Sequence, residues 1–168
     1  MPADDTETRF DDLPPVLKTV RTRKLFVMHL KVRPLVMVGA TPGVDRRIGL
    51  VSGGSFEGER LSGEVIDGGS DWQAVRADGS TTLDVRLVLK TDDDAVIVMT
   101  YRGVRHGPND VIRRMERGEA VDPERYYFRI NPLFETAATT YDWLNRILAV
   151  GIGHRRPDGP VYSVFEVL

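Results

Sequence analysis

The sequence predicts an all-β, mainly antiparallel fold: a single closed or nearly closed β-barrel with one short helix around residues 108–118. Three observations carry this. Apolar and β-branched residues come in many short runs, those runs are separated by tight-turn chemistry, and only one stretch has helical punctuation. A meander of so many strands would leave exposed edges, and closing the sheet on itself removes them.

The first twenty or so residues are acidic and carry Pro14-Pro15 with little periodicity, so residues 1–22 are expected to form a partly flexible extension and residues 23–168 one barrel domain. The runs then follow in order: "KLFVMHLKV", "RLSGEVI", "WQAVRA", "TLDVRLVLKT", "AVIVMTYRG", "YYFRI", "LNRILAVGIG" and "VYSVFEVL". Between them lie "ADGS" at 77–80, "DDD" at 92–94 and "RPDGP" at 156–160, where Asp and Gly tolerate the positive φ of short hairpins. The helix is "PNDVIRRMERG": Pro108 suits the first turn, Asp110 the positive end of the dipole, Arg113, Arg114 and Arg117 the other end, and Gly118 the stop. Val111, Ile112 and Met115 then share a face that can lie over a sheet or close one barrel end.

Composition excludes several functions. The chain has 168 residues, no cysteine and a net charge of -2, so disulfides, thiolate metal sites and a cysteine nucleophile are absent. Basic and acidic residues are interspersed, which makes nucleic acid a poor partner. No secretory signal and no run of eighteen apolar residues is seen, so a cytoplasmic protein without a membrane partner is expected. His29, His106 and His154 lack metal-ligand spacing, so no metal and no cofactor is assigned. "SGGSFEG" lacks the phosphate-loop pattern and reads as a bulge or turn, and Ser52, Ser55 and Ser70 have no evident triad partners.

Hairpin geometry assigns faces. A two-residue loop at Asp78-Gly79 sets Gln73 opposite Asp84 and Asp71 opposite Arg86, with Trp72, Leu83, Val85, Leu87 and Leu89 on the other face. A loop over Asp93-Asp94 adds Met99 and Tyr101 to the polar face. A loop over Asp158-Gly159 separates Leu148, Val150, Ile152, Phe165 and Val167 from Trp143, Asn145, Ala149, Gly151 and Gly153, whose small members leave room. The polar face is either the solvated outside or the lining of a small-molecule pocket; alternation alone leaves both open.

The blocks from "LVMVGATPGVDRRIGLVSGG" through "VMTYRGVRHG", then "RYYFRINPLFET", "YDWLNRILAVGIG" and "RRPDG", resemble the bacterial and fungal family known as domain of unknown function 3237, or uncharacterised protein family 0311. The likeness covers nearly the whole chain from about Lys24. It implies a cytosolic single-domain β-barrel with no common cofactor, whose few members with suggested roles act in cyclisation or isomerisation of small molecules. The matching polar positions are Asp71, Trp72, Asp84, Arg86, Tyr101, Arg102, Tyr127, Arg129, Glu135, Trp143 and Asn145. Asp94 departs from the glycine usual in such a turn.

With a pocket favoured, Asp84 or Glu135 is the expected acid/base group, Arg129 the partner of an anionic oxygen, and Tyr101 or Tyr127 a hydrogen-bond donor to a developing oxyanion. Asp71, Trp72, Gln73, Arg86, Met99, Tyr127, Trp143 and Asn145 are the expected substrate contacts. Arg129 pairing with Glu135 or Asp84 as a purely structural network stands beside this. Two function classes follow: a cofactor-independent cyclase or isomerase acting on a small oxygenated substrate, and a non-catalytic carrier of such a compound. A symmetric homodimer is also expected from apolar residues on both strand faces.

Overall fold

The computed structural model describes residues 8–168. Residues 1–7 of the expected extension lie outside the described part. The remainder of that extension makes two short 3-10 turns, Phe10–Asp12 and Pro15–Leu17, before the first strand begins at Thr22.

Eight antiparallel strands close into a barrel. In chain order the strands are β1 (Thr22–Val32), β2 (Val36–Ala40), β3 (Asp45–Glu57), β4 (Ser62–Val65), β5 (Gly69–Val75), β6 (Thr81–Thr91), β7 (Val96–His106), β8 (Tyr127–Ile130), β9 (Leu133–Glu135), β10 (Ala149–Arg156) and β11 (Gly159–Val167). The ring runs β1, β3, β5, β6, β7, β8, β10, β11 and back to β1. Strands β2, β4 and β9 are additions to it, β2 pairing with β3, β4 with β3 and β6, and β9 with β7. Strand β3 was not among the expected runs, because its "SGGSFE" end reads as a turn. It stays extended because the backbones of β1 and β3 approach closely there: a Cβ on Gly54, whose φ is +148°, would lie 2.2 Å from the His29 carbonyl oxygen.

Two hairpins have three-residue loops where two-residue loops were expected. In the first, the Arg76 N–H donates to the Ser80 carbonyl at 2.8 Å, leaving 77–79 as the loop with Gly79 at φ +82°. In the second, the Thr91 N–H donates to the Ala95 carbonyl at 2.9 Å, leaving 92–94 with Asp94 at φ +68°. Both end on a left-handed residue, the usual geometry of a three-residue hairpin. Each slips the register by one residue, so Asp71 faces Val85 instead of Arg86, and Tyr101 faces Val85 as well. A one-residue slip turns a strand over. Asp71, Gln73, Met99 and Tyr101 therefore share the inner face with Leu83, Val85, Leu87 and Leu89, while Asp84 and Arg86 point outward.

The last hairpin turns at Pro157-Asp158, so that Arg156 pairs with Gly159. That differs from the expected loop by two positions in register, which keeps the faces as predicted. Val150 and Ile152 are exposed, and Ala149, Gly151 and Gly153 face inward. The room beside these glycines is filled: a Cβ on Gly153 would lie 2.5 Å from the Phe128 ring, and one on Gly151 2.6 Å from Ile130.

The single α-helix among the described residues, α1 (Asn109–Glu116), follows Pro108, buries Val111 and Met115, and ends before Gly118 at φ +78°. It lies over one end of the barrel. The other end is filled by Leu25, Met28, Phe56, Leu87, Leu89, Ile97 and Met99 and capped by the 3-10 segment Thr139–Arg146, which buries Tyr141 and Leu144. There the Tyr141 hydroxyl donates to Asp93 at 2.8 Å, tying the cap to the 92–94 loop.

Candidate functional site

The α1 end of the barrel holds a cavity of about 350 Å3. That is the small end of the range for small-molecule pockets, about 300–1,000 Å3. Its apolar wall comes from Leu30, Val51, Leu83, Val85 and Phe128, with Ile112 and Met115 of α1 above. Its polar groups are Arg47, Asp71, Gln73, Tyr101, Arg105, Glu116, Arg155 and Tyr162. Alternation explains how one wall delivers several of them. On β7 the inward phase runs Ile97, Met99, Tyr101, Gly103, Arg105, and on β11 it runs Tyr162, Val164, Glu166.

Asp71 is the central group. Gln73 donates to its Oδ2 at 2.7 Å, whereas Oδ1 is buried with no hydrogen-bond partner among the described residues. Burial pushes this carboxyl up to about 6, opposed by the Gln73 hydrogen bond and the positive charge of Arg105. Tyr101 and Tyr162 stand edge to face with ring centroids 5.6 Å apart, and Phe128 packs against Tyr162 at 5.4 Å. Burial, helped by the charge on Asp71, pushes both phenols far above their ordinary value, so they remain hydrogen-bond donors at any working pH.

The arginines divide into two kinds. Arg47 is spoken for: it meets Glu116 of α1 at 2.8 Å and Asp45 at 3.3 Å, which ties the helix to the barrel rim. Arg105 meets no carboxylate at salt-bridge distance among the described residues. Its guanidinium lies 5.5 Å from the Phe128 ring centroid, and burial lowers its pKa from the usual arginine value. Arg155 is likewise without an acidic partner among the described residues; its Nη1 donates to the Arg156 carbonyl, and its backbone N–H to the Tyr126 hydroxyl.

The structure brings together Asp71, Gln73 and Tyr101 of the expected site residues and separates the others from them. Asp84 and Arg86 are exposed on the outer face of β6 because of the two register slips. Arg129 is also outside; it lies over the Tyr127 ring at 4.8 Å and donates to the Phe128 carbonyl at 3.0 Å, so neither Glu135 nor Asp84 is its partner. Trp72 is half exposed, and with Asp84, Tyr127 and Arg129 it borders a shallow groove on the outer wall. Glu135 is exposed on β9. Met99 is fully buried in the packed end and does not reach the cavity. Trp143 lies beneath Arg60 at 3.9 Å, and Asn145 clamps the Thr136 backbone with bonds of 2.8 and 2.9 Å. Both belong to the cap and not to a β10 strand, which begins only at Ala149.

Arg105, Arg155, Tyr162 and Arg47 were missed. The signal for Arg105 was present, since it continues the inward phase of Tyr101 at two-residue spacing. Arg47 was invisible without β3.

Fold and site together define a closed antiparallel β-barrel with a polar cavity at one end. The chain matches the profile of the family described as protein of unknown function (DUF3237) over residues 20–167. It belongs to that family. A UPF0311 protein of Rhodopseudomonas palustris is 36% identical over 150 residues, covering 89% of this chain and 98% of the relative. A Clostridium acetobutylicum UPF0311 protein is 32% identical over 153 residues, covering 90% and 96%. The crystal structure of a Rhodopseudomonas palustris conserved protein of unknown function superposes with a TM-score of 0.87 at 36% identity, covering 89% of this chain and 99% of the other. A β-barrel-like protein of Acinetobacter baumannii gives 0.79 at 33% identity, covering 94% and 99%. A structure described as an enzyme from Penicillium herquei shares the fold at a TM-score of 0.67 and 21% identity, covering 89% and 95%. No helix among the described residues is long and apolar enough to cross a membrane.

Proposed function

We propose that the barrel is a cofactor-independent cyclase or isomerase that moves a proton on a small oxygenated substrate. One observation carries this reading: Asp71, with a proton affinity near 6 and one unpartnered oxygen, faces the same cavity as two protonated tyrosines. The Asp71 carboxylate takes a proton from carbon next to a carbonyl. The C–H electron pair moves to the carbonyl oxygen, where Tyr101 and Tyr162 donate hydrogen bonds to the enolate that forms. Protonated Asp71 returns the proton at another carbon in an isomerisation. In a cyclisation the enolate carbon attacks an electrophile in the same molecule, and the proton on Asp71 goes to the oxygen that receives the displaced electron pair. That the fold tolerates catalysis agrees with the description of the Penicillium herquei neighbour as an enzyme.

The test is solvent deuterium exchange into a panel of 1,3-dicarbonyl and phenolic ketone compounds, followed by NMR. Exchange should rise with pH through about 6 and level off above it, because Asp71 must be ionised to act as base. Asp71→Asn should lose about 100-fold or more of the rate. Saturable binding with no exchange in the unaltered protein would make it a carrier instead.

A further inference from the structure

We infer that the cavity ligand is an organic anion, a carboxylate or an equally acidic enol or phenol, whose ionised oxygens sit against Arg105 and Arg155. The inference rests on reading this cavity as the ligand site, and it adds the charge class of the ligand. A buried guanidinium without a carboxylate is costly, since burial removes hydration that nothing else replaces. Arg105 approaches that state: it is part-buried in the cavity wall with no carboxylate at salt-bridge distance among the described residues, and Asp71 influences it only through space. Arg47, on the same cavity wall, shows what a charge-paired arginine looks like here, with Glu116 at 2.8 Å and Asp45 at 3.3 Å. Glu116, the other carboxylate lining the cavity, is held by Arg47.

Charge and geometry agree. Apart from the Arg47 cluster, the cavity carries two arginines against one carboxyl, and that carboxyl is neutral for part of the time near pH 6. Two guanidiniums on the same cavity wall, from β7 and β10 on either side of β8, can donate to a bound carboxylate in paired, charge-assisted hydrogen bonds. The Phe128 ring beside Arg105 and the wall of Leu83 and Val85 suit a flat or aliphatic body attached to that group. The unpartnered Oδ1 of Asp71 asks for a second polar atom on the same molecule. The ligand class is therefore a hydroxy- or keto-acid, or its vinylogous equivalent, small enough for about 350 Å3.

The experiment compares 4-hydroxybenzoate with its uncharged analogue 4-hydroxybenzamide by isothermal titration into the full chain. The carboxylate should bind about tenfold or more tightly than the amide. Arg105→Met should erase that preference while leaving amide binding in place, Arg105→Lys should keep part of it, and Arg155→Met should reduce it. Circular dichroism and melting confirm that each variant is folded. Equal affinities in the unaltered protein, a preference that survives Arg105→Met, or no saturable carboxylate binding at millimolar concentration would each overturn the inference. Asp71→Asn separates it from the proposed reaction: that variant should lose deuterium exchange yet hold the carboxylate at least as tightly. Exchange that depends on Asp71 without any carboxylate preference would leave the reaction standing and remove the anion.

Discussion

The two ends of the barrel hold the same kinds of charged groups and treat them in opposite ways. At the capped end Glu166, on the inward phase of β11, receives hydrogen bonds from Arg23 at 2.9 Å and from Arg60. Burial pushes its carboxyl up, and the two arginines more than reverse this, leaving it below the ordinary glutamate value. At the α1 end Asp71 has an arginine in the same cavity but not in contact, and burial wins. The difference teaches that contact, and not mere neighbourhood, decides which sign the shift takes. A satisfied ion cluster closes one end, and an unsatisfied one leaves the other end chemically poised.

The largest structural break of this comparison is in packing. Leu89→Ala at the packed end should cost about 3 kcal/mol, since it opens a void among rigid neighbours, whereas Leu83→Ala should cost only about 1–2 kcal/mol because it enlarges an existing polar cavity that water can enter. Urea unfolding of both variants checks the order. Next come the two acids, whose neutralisation should act with opposite signs. Folded Asp71 holds its proton to about 6 against an ordinary 3.8, so its contribution to stability falls as pH rises through that window. Asp71→Asn should therefore stabilise the protein at pH 8 by about 2 kcal/mol and have little effect near pH 4. Folded Glu166 loses its proton more readily than the unfolded chain, so its contribution is present above the ordinary glutamate value and disappears as pH falls below it. Glu166→Gln should destabilise at pH 8 by about 1–2 kcal/mol, limited by the exposure of Arg23. Melting curves at the two pH values check both signs.

The smallest effect is expected at the helix latch. Glu116→Gln removes one carboxylate from Arg47 but leaves Asp45, so global stability should change by less than about 1 kcal/mol. Amide exchange in α1 should nevertheless quicken. Unchanged exchange would mean that Val111 and Met115 alone hold the helix over the cavity.

Much of the architecture was legible in the sequence: the antiparallel meander, its closure and the helix at 108–118. Placing the site was harder because turn residues mark where a hairpin reverses but not how many residues the loop contains. Asp78-Gly79 and Asp93-Asp94 were located correctly, and a single unanticipated residue in each loop exported Asp84 and Arg86 to the surface. The same two slips cancelled for Asp71, Gln73 and Tyr101, which stayed together. The arginine in "YYFRI" lies outside because its strand alternates with Phe128 and Ile130 buried, so Arg129 takes the outward phase. The β3 strand was hidden by the glycines that let it pass close to β1.

The ring closes between β1 and β11, and Arg23 and Glu166, the pair that spans this seam, are 143 positions apart in sequence. A ribosome therefore delivers the sheet open, with Asp71, Tyr101 and Arg105 already made and Tyr162 still to come. Closure must wait for the last strand, a long-range pairing of the kind that makes folding slow and leaves unpaired edges exposed meanwhile. The nascent chain is thus most vulnerable to aggregation just before the step that completes its cavity.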